Sequence, residues 1–322
     1  MTRYVARRLA FAAFLVIAVS SASLVLARLA PGDFVSQSGS TQVSRAVLDQ
    51  ERARFGLDKS IAAQYRDWLA AAVRFDFGYS MQYGRPVRDL IPERAANTAM
   101  LAVTALVLAT LIGLPLGVIT GSRSGGALPG VIRAASVVLL SMPPLLTSLF
   151  LVFVAARTGW LPISGMRSAT VPAGGALLDL LRHLVVPAAA IGLPLAAMLE
   201  RLQSQAMREV IDEPFVLATL ARGVPRSRIV WRGALKAALR PVASVYGLII
   251  GTLLSGSFAV EVITAWPGLG SLMLQALRTR DIYLVAGCAG AGALFLACGT
   301  LVSDLALAAV DPRAREMPAE QA

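Results

Sequence analysis

Long apolar runs, separated by short polar and charged segments, dominate the chain. A hydrocarbon core about 30 Å thick is crossed by about 20 apolar residues in a helix, and runs of that length recur along the sequence. The pattern predicts an all-α integral membrane protein with six transmembrane helices. The predicted crossings are about Leu9 to Ala27, Thr98 to Ile119, Val131 to Ala155, Leu177 to Leu199, Val242 to Val262 and Tyr283 to Ala309.

Prolines interrupt two of these runs. The fourth crossing has the weakest pattern, because its uninterrupted apolar stretch from Leu184 to Leu199 contains Pro187 and Pro194. Backbone groups freed by proline must be satisfied by neighbouring helices in lipid, which favours a bundle over isolated anchors. In the third crossing, the Pro143-Pro144 pair predicts a kink.

The positive charges indicate the orientation. Of the 30 Lys and Arg residues, half fall in segments that are cytoplasmic if the N-terminus is inside. Five fall in short outer loops. The remaining ten lie between Arg28 and Arg94, in a segment long enough to be translocated across the membrane whatever its charge. Both termini are therefore predicted to be cytoplasmic. We expect the first apolar run to remain in the mature protein. It is longer than the apolar core of a signal peptide, and Arg28 is unsuitable at its place in the one candidate cleavage site.

The pattern divides the chain into four parts. Residues 1–29 form an N-terminal transmembrane helix, and residues 30–96 form an extracytoplasmic insert. Residues 97–310 form a five-helix core that includes a cytoplasmic loop at 200–241, and residues 311–322 form a cytoplasmic tail. In the insert, helical spacing predicts one apolar face, formed by Leu57, Ile61, Tyr65, Trp68 and Leu69. It is either a covering lid or a docking surface for a delivery partner.

Composition excludes several functions. The chain is 56% hydrophobic and 15% charged, so its net charge of +11 is explained by basic residues that flank apolar spans rather than by nucleic-acid binding. It has no Walker-type GxxxxGK[ST] motif, no recognisable Ser/His/Asp motif around its single histidine, His183, and nothing that resembles a metal cluster. We expect no catalytic residues, no metal and no cofactor in this chain.

The predicted cytoplasmic loop contains a short helix. Pro214 suits the first helical position, and Gly223 suits a left-handed cap, so the helix should run from about Pro214 to Arg222. A helix this short is below the about 12 to 15 residues that are stable alone in water, so packing must hold it. A second helix is predicted from Ser227 to Pro241, with adjacent basic and apolar stripes suited to a membrane interface.

These loop residues resemble a known family. The short helix ending in LARG, followed by RIVWRGALKAALRP, resembles the cytoplasmic loop of permease subunits of ATP-binding-cassette importers, in the dipeptide, oligopeptide and nickel branch. The resemblance extends along almost the whole chain and is to the B-type subunit of the permease pair. Further matching motifs, in family order, are ARRL at 6–9, PGD at 31–33, FGLD at 55–58, QYRDWL at 64–69, SMP at 141–143, GWLPISG at 159–165, PGLG at 267–270 and DPR at 311–313.

The resemblance implies a type I importer permease fold and a division of labour among subunits. Two separate ATPases would bind ATP and Mg, a second homologous permease would complete the pathway, and an extracytoplasmic binding protein would deliver the solute. The short helix would be the coupling helix that seats in a groove of an ATPase. The residues assigned to this contact are Glu213, Phe215, Val216, Thr219, Leu220, Arg222 and Gly223. The chain departs from the family pattern in having Pro214, Leu217 and Leu220 where relatives commonly carry polar or basic residues.

Other residues carry weaker hypotheses. Gly113, Gly117 and Gly121 recur at every fourth position, which favours close helix packing. Glu261 is an acid in an apolar run, so it either pairs with another helix or contacts solute. Pro143 and Glu261 are the candidates for a pathway or gating role. Di- or oligopeptides are the first choice of solute, with nickel, a nickel chelate or glutathione as alternatives. A gradient-driven carrier or channel, and a purely structural scaffold, are more distant alternatives.

Overall fold

The computed structural model describes residues 2–32, 34–35, 45–123, 125–168 and 175–310. Helices account for most of them. We number the helices α1 Thr2–Leu29, α2 Arg45–Arg54, α3 Ile61–Ala72, α4 Val87–Ser122, α5 Ala127–Ser141, α6 Pro144–Thr158, α7 Ala176–Ile211, α8 Pro214–Ala221, α9 Arg226–Arg228, α10 Leu235–Ile263, α11 Leu269–Arg278 and α12 Ile282–Val310. A π-helical segment, Ile229–Ala234, joins α9 to α10.

Four helices are long and apolar enough to cross a membrane among the described residues. They contain the predicted first, second, fourth and sixth crossings, and the spans are Ala6–Leu29, Val87–Ser122, Ala176–Ile211 and Ile282–Leu301. The predicted fifth crossing lies within α10, several of whose side chains are outside the described set. The fourth crossing, the weakest in the sequence, is the long helix α7, which continues through both Pro187 and Pro194.

The predicted third crossing is not a single helix. It consists of α5 and α6, which meet at a bend of 108°. Pro143 precedes α6 with extended backbone angles, and Pro144 occupies the first helical turn. A residue before proline is pushed out of the helical region, so the Pro143-Pro144 pair ends one helix and begins the next. The predicted kink is therefore a full break.

The chain forms two compact units. One contains the residues up to Ala99 together with Trp266–Cys298, and the other contains Met100–Ala265 with the residues from Gly299 onward. In the first unit, Leu24, Trp68 and Ala286 form one buried cluster. The two-stranded antiparallel hairpin of β1 Tyr79–Ser80 and β2 Arg85–Pro86 also belongs to this unit.

The segment predicted as a helical insert includes strands as well as helices. It contains α2, α3 and the hairpin, and α4 already begins at Val87. Ser60 caps α3 by accepting a hydrogen bond from the amide of Ala63. The predicted apolar face is wrong at Ile61, which is 37% exposed, whereas Gln64 is 2% exposed. The buried face of α3 therefore includes a polar side chain, because it lies against the hydroxyl group of Tyr283.

In the second unit, α7 packs against α5, α6 and α10. A stripe of glycines on α4, formed by Gly113, Gly117 and Gly121, faces α7 so closely that an added Cβ would lie within 2.6 Å of the backbone oxygens or Cβ atoms of α7. Small residues allow this approach of two helix backbones. The packing role predicted for the glycines is confirmed.

Candidate functional site

The candidate site is the short helix α8 and its flanks. Glu213 precedes the helix with extended backbone angles, as a residue before proline must, and Pro214 occupies its first turn. The helix ends at Ala221, and Gly223 follows with a φ of 76°. The left-handed region is strained for residues with a Cβ, so glycine is the residue that suits this stop. The helix predicted between Pro214 and Gly223 is confirmed, one residue shorter than expected.

One side chain fixes α8 to the rest of the second unit. Val216 is 2% exposed, and α8 packs against both α7 and the π-helical segment. An eight-residue helix is marginal on its own, so this contact holds it in place. The segment after α8 makes a second contact: the guanidinium of Arg226 donates a hydrogen bond of 3.2 Å to the carbonyl of Ser122 at the end of α4.

Helix α8 also carries large apolar side chains that are exposed. Phe215 is 45% exposed, Leu217 is 57% exposed and Leu220 is 40% exposed. Three large apolar side chains on so short a helix exceed what its own packing uses, since only Val216 is buried. We call the exposed surface to which these three side chains contribute the exposed face of α8. Such a face is typical of a contact surface for another molecule.

The remaining predicted site residues complete the helix ends. The hydroxyl of Thr219 donates to the carbonyl of Phe215 over 2.6 Å, and the guanidinium of Arg222 donates to the carbonyl of Ala218 over 3.3 Å. Arg222 thus satisfies a carbonyl in the last turn of α8, whereas Thr219 bonds back to a carbonyl near the start of the helix. The carboxylate of Glu213 is exposed and makes no capping hydrogen bond within the described part of the chain.

The basic segment after α8 is organised differently from the separate helix predicted from Ser227 to Pro241. It begins with α9, passes through the π-helical segment and continues without interruption into α10, which contains Pro241. The predicted end at Pro241 is wrong, since proline there lies inside a helix. The predicted basic stripe is exposed at Arg228, Arg232 and Lys236. In the predicted apolar stripe, Trp231 is 46% exposed, and Leu235 and Leu239 are half-buried.

The two pathway candidates lie apart from α8 in sequence. Pro143 is at the break between α5 and α6, and Glu261 is fully buried in the last turns of α10. Among the residues that the structure describes, no group of His, Cys, Asp or Glu side chains could hold a metal ion.

Sequence reasoning missed a polar cluster between α4, α5 and α7. The hydroxyl of Thr120 donates to the carboxylate of Glu200, which is 2% exposed, and the guanidinium of Arg133 donates to the carbonyl of Thr120 over 2.8 Å. A cavity of about 560 Å³ borders Arg133 and Glu200. The charged pair Glu200-Arg201 at the end of an apolar run was the available signal, but its partners come from other helices.

Fold and site together define a multi-pass helical membrane protein with a short, apolar, exposed helix between two long helices. Residues 113–316 match the family described as the inner membrane component of binding-protein-dependent transport systems, and residues 1–102 match the N-terminal region of such membrane components. The chain belongs to this family of permeases of binding-protein-dependent transport systems, and it is thus a transport component of a membrane.

Several relatives match over their whole length. The oligopeptide transport system permease protein AppB of Bacillus subtilis is 30% identical over 315 residues, which cover 97% of this chain and 99% of the relative. OppB of Mycobacterium tuberculosis is 32% identical over 325 residues, with 98% and 99% covered. DppB, a dipeptide transport system permease protein of Escherichia coli, is 30% identical over 336 residues, with 98% and 99% covered.

A solved structure shares the fold. An inward-facing conformation of the MetNI methionine ABC transporter is similar with a TM-score of 0.51, over 68% of this chain and 95% of that chain. The sequence identity is 18%, so the similarity concerns the fold alone. The fold is that of a type I ABC importer permease.

Proposed function

We propose that this chain is the membrane-spanning permease subunit of an ATP-driven importer for di- or oligopeptides. The family and the peptide-transport names of relatives that match it end to end support this proposal. The chain lacks a Walker-type motif in its sequence, so ATP hydrolysis is assigned to partner subunits. Solute then moves by alternating access, in which ATPase closure is transmitted to the crossings.

The exposed face of α8 is the observation that carries the proposal. A stiff element contacted in both states of the transporter is required for coupling. Helix α8 packs against α7 and the π-helical segment, where Val216 is buried, and it leaves Phe215, Leu217 and Leu220 exposed. A helix held in this way can transmit the movement of an ATPase groove to the two long helices that flank it. This is the coupling helix of the proposed assembly.

The proposed assembly has five parts. A second homologous permease subunit completes the pathway, two ATP-binding subunits contact the cytoplasmic side, and an extracytoplasmic solute-binding protein delivers the peptide. The chain itself lies in the bacterial inner membrane with six crossings, counting α10 as the fifth and the broken pair α5 and α6 as the third. The charge distribution supports cytoplasmic termini, a cytoplasmic α8 and an extracytoplasmic segment between the first two crossings.

Photo-crosslinking tests the coupling role. A photoreactive amino acid placed at Leu217 should cross-link the ATPase subunit in the reconstituted complex, because that side chain is 57% exposed on α8. The matched control is Tyr79, which is 51% exposed in the segment proposed to be extracytoplasmic. Cross-linking to the ATPase from Leu217 and not from Tyr79 is expected. A complex that assembles and hydrolyses ATP without any cross-link from Leu217 would refute the coupling role.

Uptake into proteoliposomes tests the substrate. We expect ATP-dependent uptake of a labelled dipeptide in the presence of the cognate binding protein. Replacement of Leu217 by Glu should abolish that uptake, because a charge would have to enter an apolar contact. Uptake of nickel or glutathione with no dipeptide uptake would refute the peptide assignment and leave the importer class standing. Uptake by the purified chain without ATPase subunits would support a carrier instead.

A further inference from the structure

The cavity of about 560 Å³ lies in the second unit, between α5 and α7. Its α7 side runs from Glu200 to Glu209, directly after the predicted fourth crossing, and its α5 side runs from Arg133 to Leu140. Small-molecule sites are typically about 300 to 1,000 Å³, so this cavity has room for a ligand of a few residues. The coupling role proposed for α8 does not use it.

The cavity wall contains a buried carboxylate, that of Glu200. This residue is 2% exposed, and the hydroxyl of Thr120 donates a hydrogen bond to one of its carboxylate oxygens. Within the described part of the chain, no cationic side chain forms an ion pair with it. Buried charges in proteins are normally paired, because taking an unpaired ion out of water is costly. A cation that binds in the cavity would compensate the charge of Glu200.

The same wall carries cationic groups. Arg201 and Arg208 border the cavity, and both are exposed. They are seven residues apart, so they lie on one face of α7, two turns from each other. The guanidinium of Arg208 donates to the hydroxyl of Ser204 over 3.5 Å, and no described carboxylate pairs with either arginine. Both guanidinium groups therefore have donors left for an anionic group in the cavity.

The other charged groups of the lining are already engaged. Arg133 donates to the carbonyls of Thr120 over 2.8 Å and of Arg123 over 3.2 Å. Glu209 accepts from the amide of Gln205 over 3.4 Å. The charges that remain for a ligand are thus one buried negative group and two exposed positive groups on the same helix.

We propose that this cavity binds a zwitterion, whose ammonium group pairs with Glu200 and whose acid group contacts Arg201 and Arg208. A ligand with a single charge would compensate only one of the two kinds of group. The axial separation of Glu200 and Arg208 is about 12 Å, and an extended chain of two or three residues spans about 7 to 11 Å. A small zwitterion can therefore reach both charges at once.

Two sources carry this chemistry. One is a short peptide, with its N-terminal ammonium and C-terminal carboxylate, and this source rests on the proposed function. The other is the headgroup of an ethanolamine phospholipid, with its ammonium and phosphate. Basic pockets between transmembrane helices on the cytoplasmic side bind lipid headgroups, and the exposed side chains of Val137 and Leu140 in the lining would suit acyl chains.

Isothermal titration of the full chain in phosphatidylcholine nanodiscs tests the proposal, because the quaternary ammonium of that lipid has no N–H to donate. The first probe is tri-alanine. We expect N-acetyl-tri-alanine to bind about tenfold more weakly, because the buried carboxylate then stays unpaired. Tri-alanine amide should bind about threefold more weakly, since its lost partners are exposed arginines. These comparisons use the unaltered protein, so they do not depend on whether a variant folds.

A second set of probes distinguishes the sources. Glycerophosphoethanolamine is the soluble headgroup of the lipid, and glycerophosphocholine is its matched control without an N–H. Heat from glycerophosphoethanolamine and none from tri-alanine would keep the zwitterion site and identify the lipid as its ligand. Heat from tri-alanine and none from glycerophosphoethanolamine would identify the peptide.

Variants locate the two charges. Glu200→Gln keeps the size of the side chain and an acceptor for Thr120 but removes the charge. It should weaken tri-alanine binding about tenfold, and N-acetylation should then cause no further loss. Arg201→Gln should in the same way reduce the effect of amidation. The control is Asp89→Asn, since the side chain of Asp89 is 47% exposed and lies outside the lining. It should bind as the wild type does.

Two results would overturn the proposal. One is that folded wild-type protein shows no heat with either tri-alanine or glycerophosphoethanolamine. The other is that folded Glu200→Gln binds with an unchanged Kd, which would mean that Glu200 carries a proton and needs no cation. The titration requires neither ATPase nor binding protein, so its failure leaves the importer standing. Absence of dipeptide uptake with retained zwitterion binding would refute the proposed function and leave the cavity assigned.

Discussion

The glycine stripe between α4 and α7 allows a quantitative test of the packing. At Gly117, an added Cβ would lie 2.6 Å from the carbonyl oxygen of Glu200 and 2.6 Å from the Cβ of Gln203. Favourable contacts between such atoms are about 3.5 to 4.0 Å, so Gly117→Ala forces the helices apart by about 1 Å. The atoms involved are backbone and Cβ atoms, which cannot move aside by changing rotamer.

The expected cost follows from this overlap. Overpacking by one methyl group costs about 1 to 3 kcal/mol in a well-packed interior. For a protein of this size, each kcal/mol lowers the melting temperature by about 2 to 4 °C, so Gly117→Ala should melt about 2 to 12 °C below the wild type. The hydrogen bond from Thr120 to Glu200 is adjacent and would be stretched by the same separation.

The assay is thermal unfolding of the purified chain in detergent, followed by intrinsic fluorescence. Gly130→Ala is the matched control, because Gly130 lies within helix α5 and no described atom is within 4 Å of its added Cβ. That variant should be as stable as the wild type or slightly more stable, since alanine favours a helix over glycine by about 0.5 to 1 kcal/mol. A folded Gly117→Ala protein that melts with the wild type would refute the close packing of α4 on α7.

Three further predictions concern other sites. Gly223→Val should reduce dipeptide uptake per ATP hydrolysed in proteoliposomes, because a φ of 76° costs a side-chain-bearing residue about 1 to 2 kcal/mol, whereas Gly223→Asn should retain most of the coupling. Burial raises the pKa of Asp281, which accepts a hydrogen bond of 2.6 Å from Ser80, so this carboxyl favours the folded state most below its ordinary pKa of about 3.9 and loses that contribution as pH rises through its raised folded value. Asp281→Asn should remove this part of the pH dependence of the melting temperature. Thr98→Val should lower the free energy of unfolding by about 1 to 3 kcal/mol, because the buried amide of Leu269 donates to that hydroxyl over 2.8 Å.

Each of these predictions has an outcome that contradicts it. Equal uptake per ATP hydrolysed in Gly223→Val and wild type would mean that the left-handed residue after α8 has no role in coupling. Parallel curves of melting temperature against pH for Asp281→Asn and wild type would mean that the pKa of Asp281 is the same in the folded and unfolded states. A Thr98→Val protein with wild-type stability in denaturant would mean that the amide of Leu269 finds another acceptor.

Local signals allowed accurate prediction of the short helix α8. Pro214 and Gly223 act through their own backbone angles, so the start and end of the helix follow from residues within the helix itself. The long helices were also predictable where the apolar runs are continuous. The prediction was wrong at two places: Pro143-Pro144 separates two helices where a kink was expected, and Pro241 lies inside a helix that was expected to end there. Pro187 and Pro194 lie inside α7, in agreement with the predicted fourth crossing.

The candidate sites differ in the same way. The exposed face of α8 consists of neighbours in sequence, and the family resemblance assigned most of its residues before the structure was known. The burial of Gln64 could not be predicted, because its amide donates to the hydroxyl of Tyr283, more than two hundred residues later. Helical spacing placed Ile61 on the buried face, but the hydrogen bond to Tyr283 made Gln64 the buried residue instead.

By itself the sequence determined that this is an integral membrane protein, that its crossings are helical, and that the basic loop contains a short helix. Those properties depend on transfer of apolar side chains out of water and on backbone angles, which act over a few residues. Only the tertiary structure decided which proline breaks a helix, which face of α3 is buried, and which groups of α4 and α7 meet. These outcomes depend on contacts between segments far apart in the chain, where the available partners decide between arrangements that the local sequence allows equally.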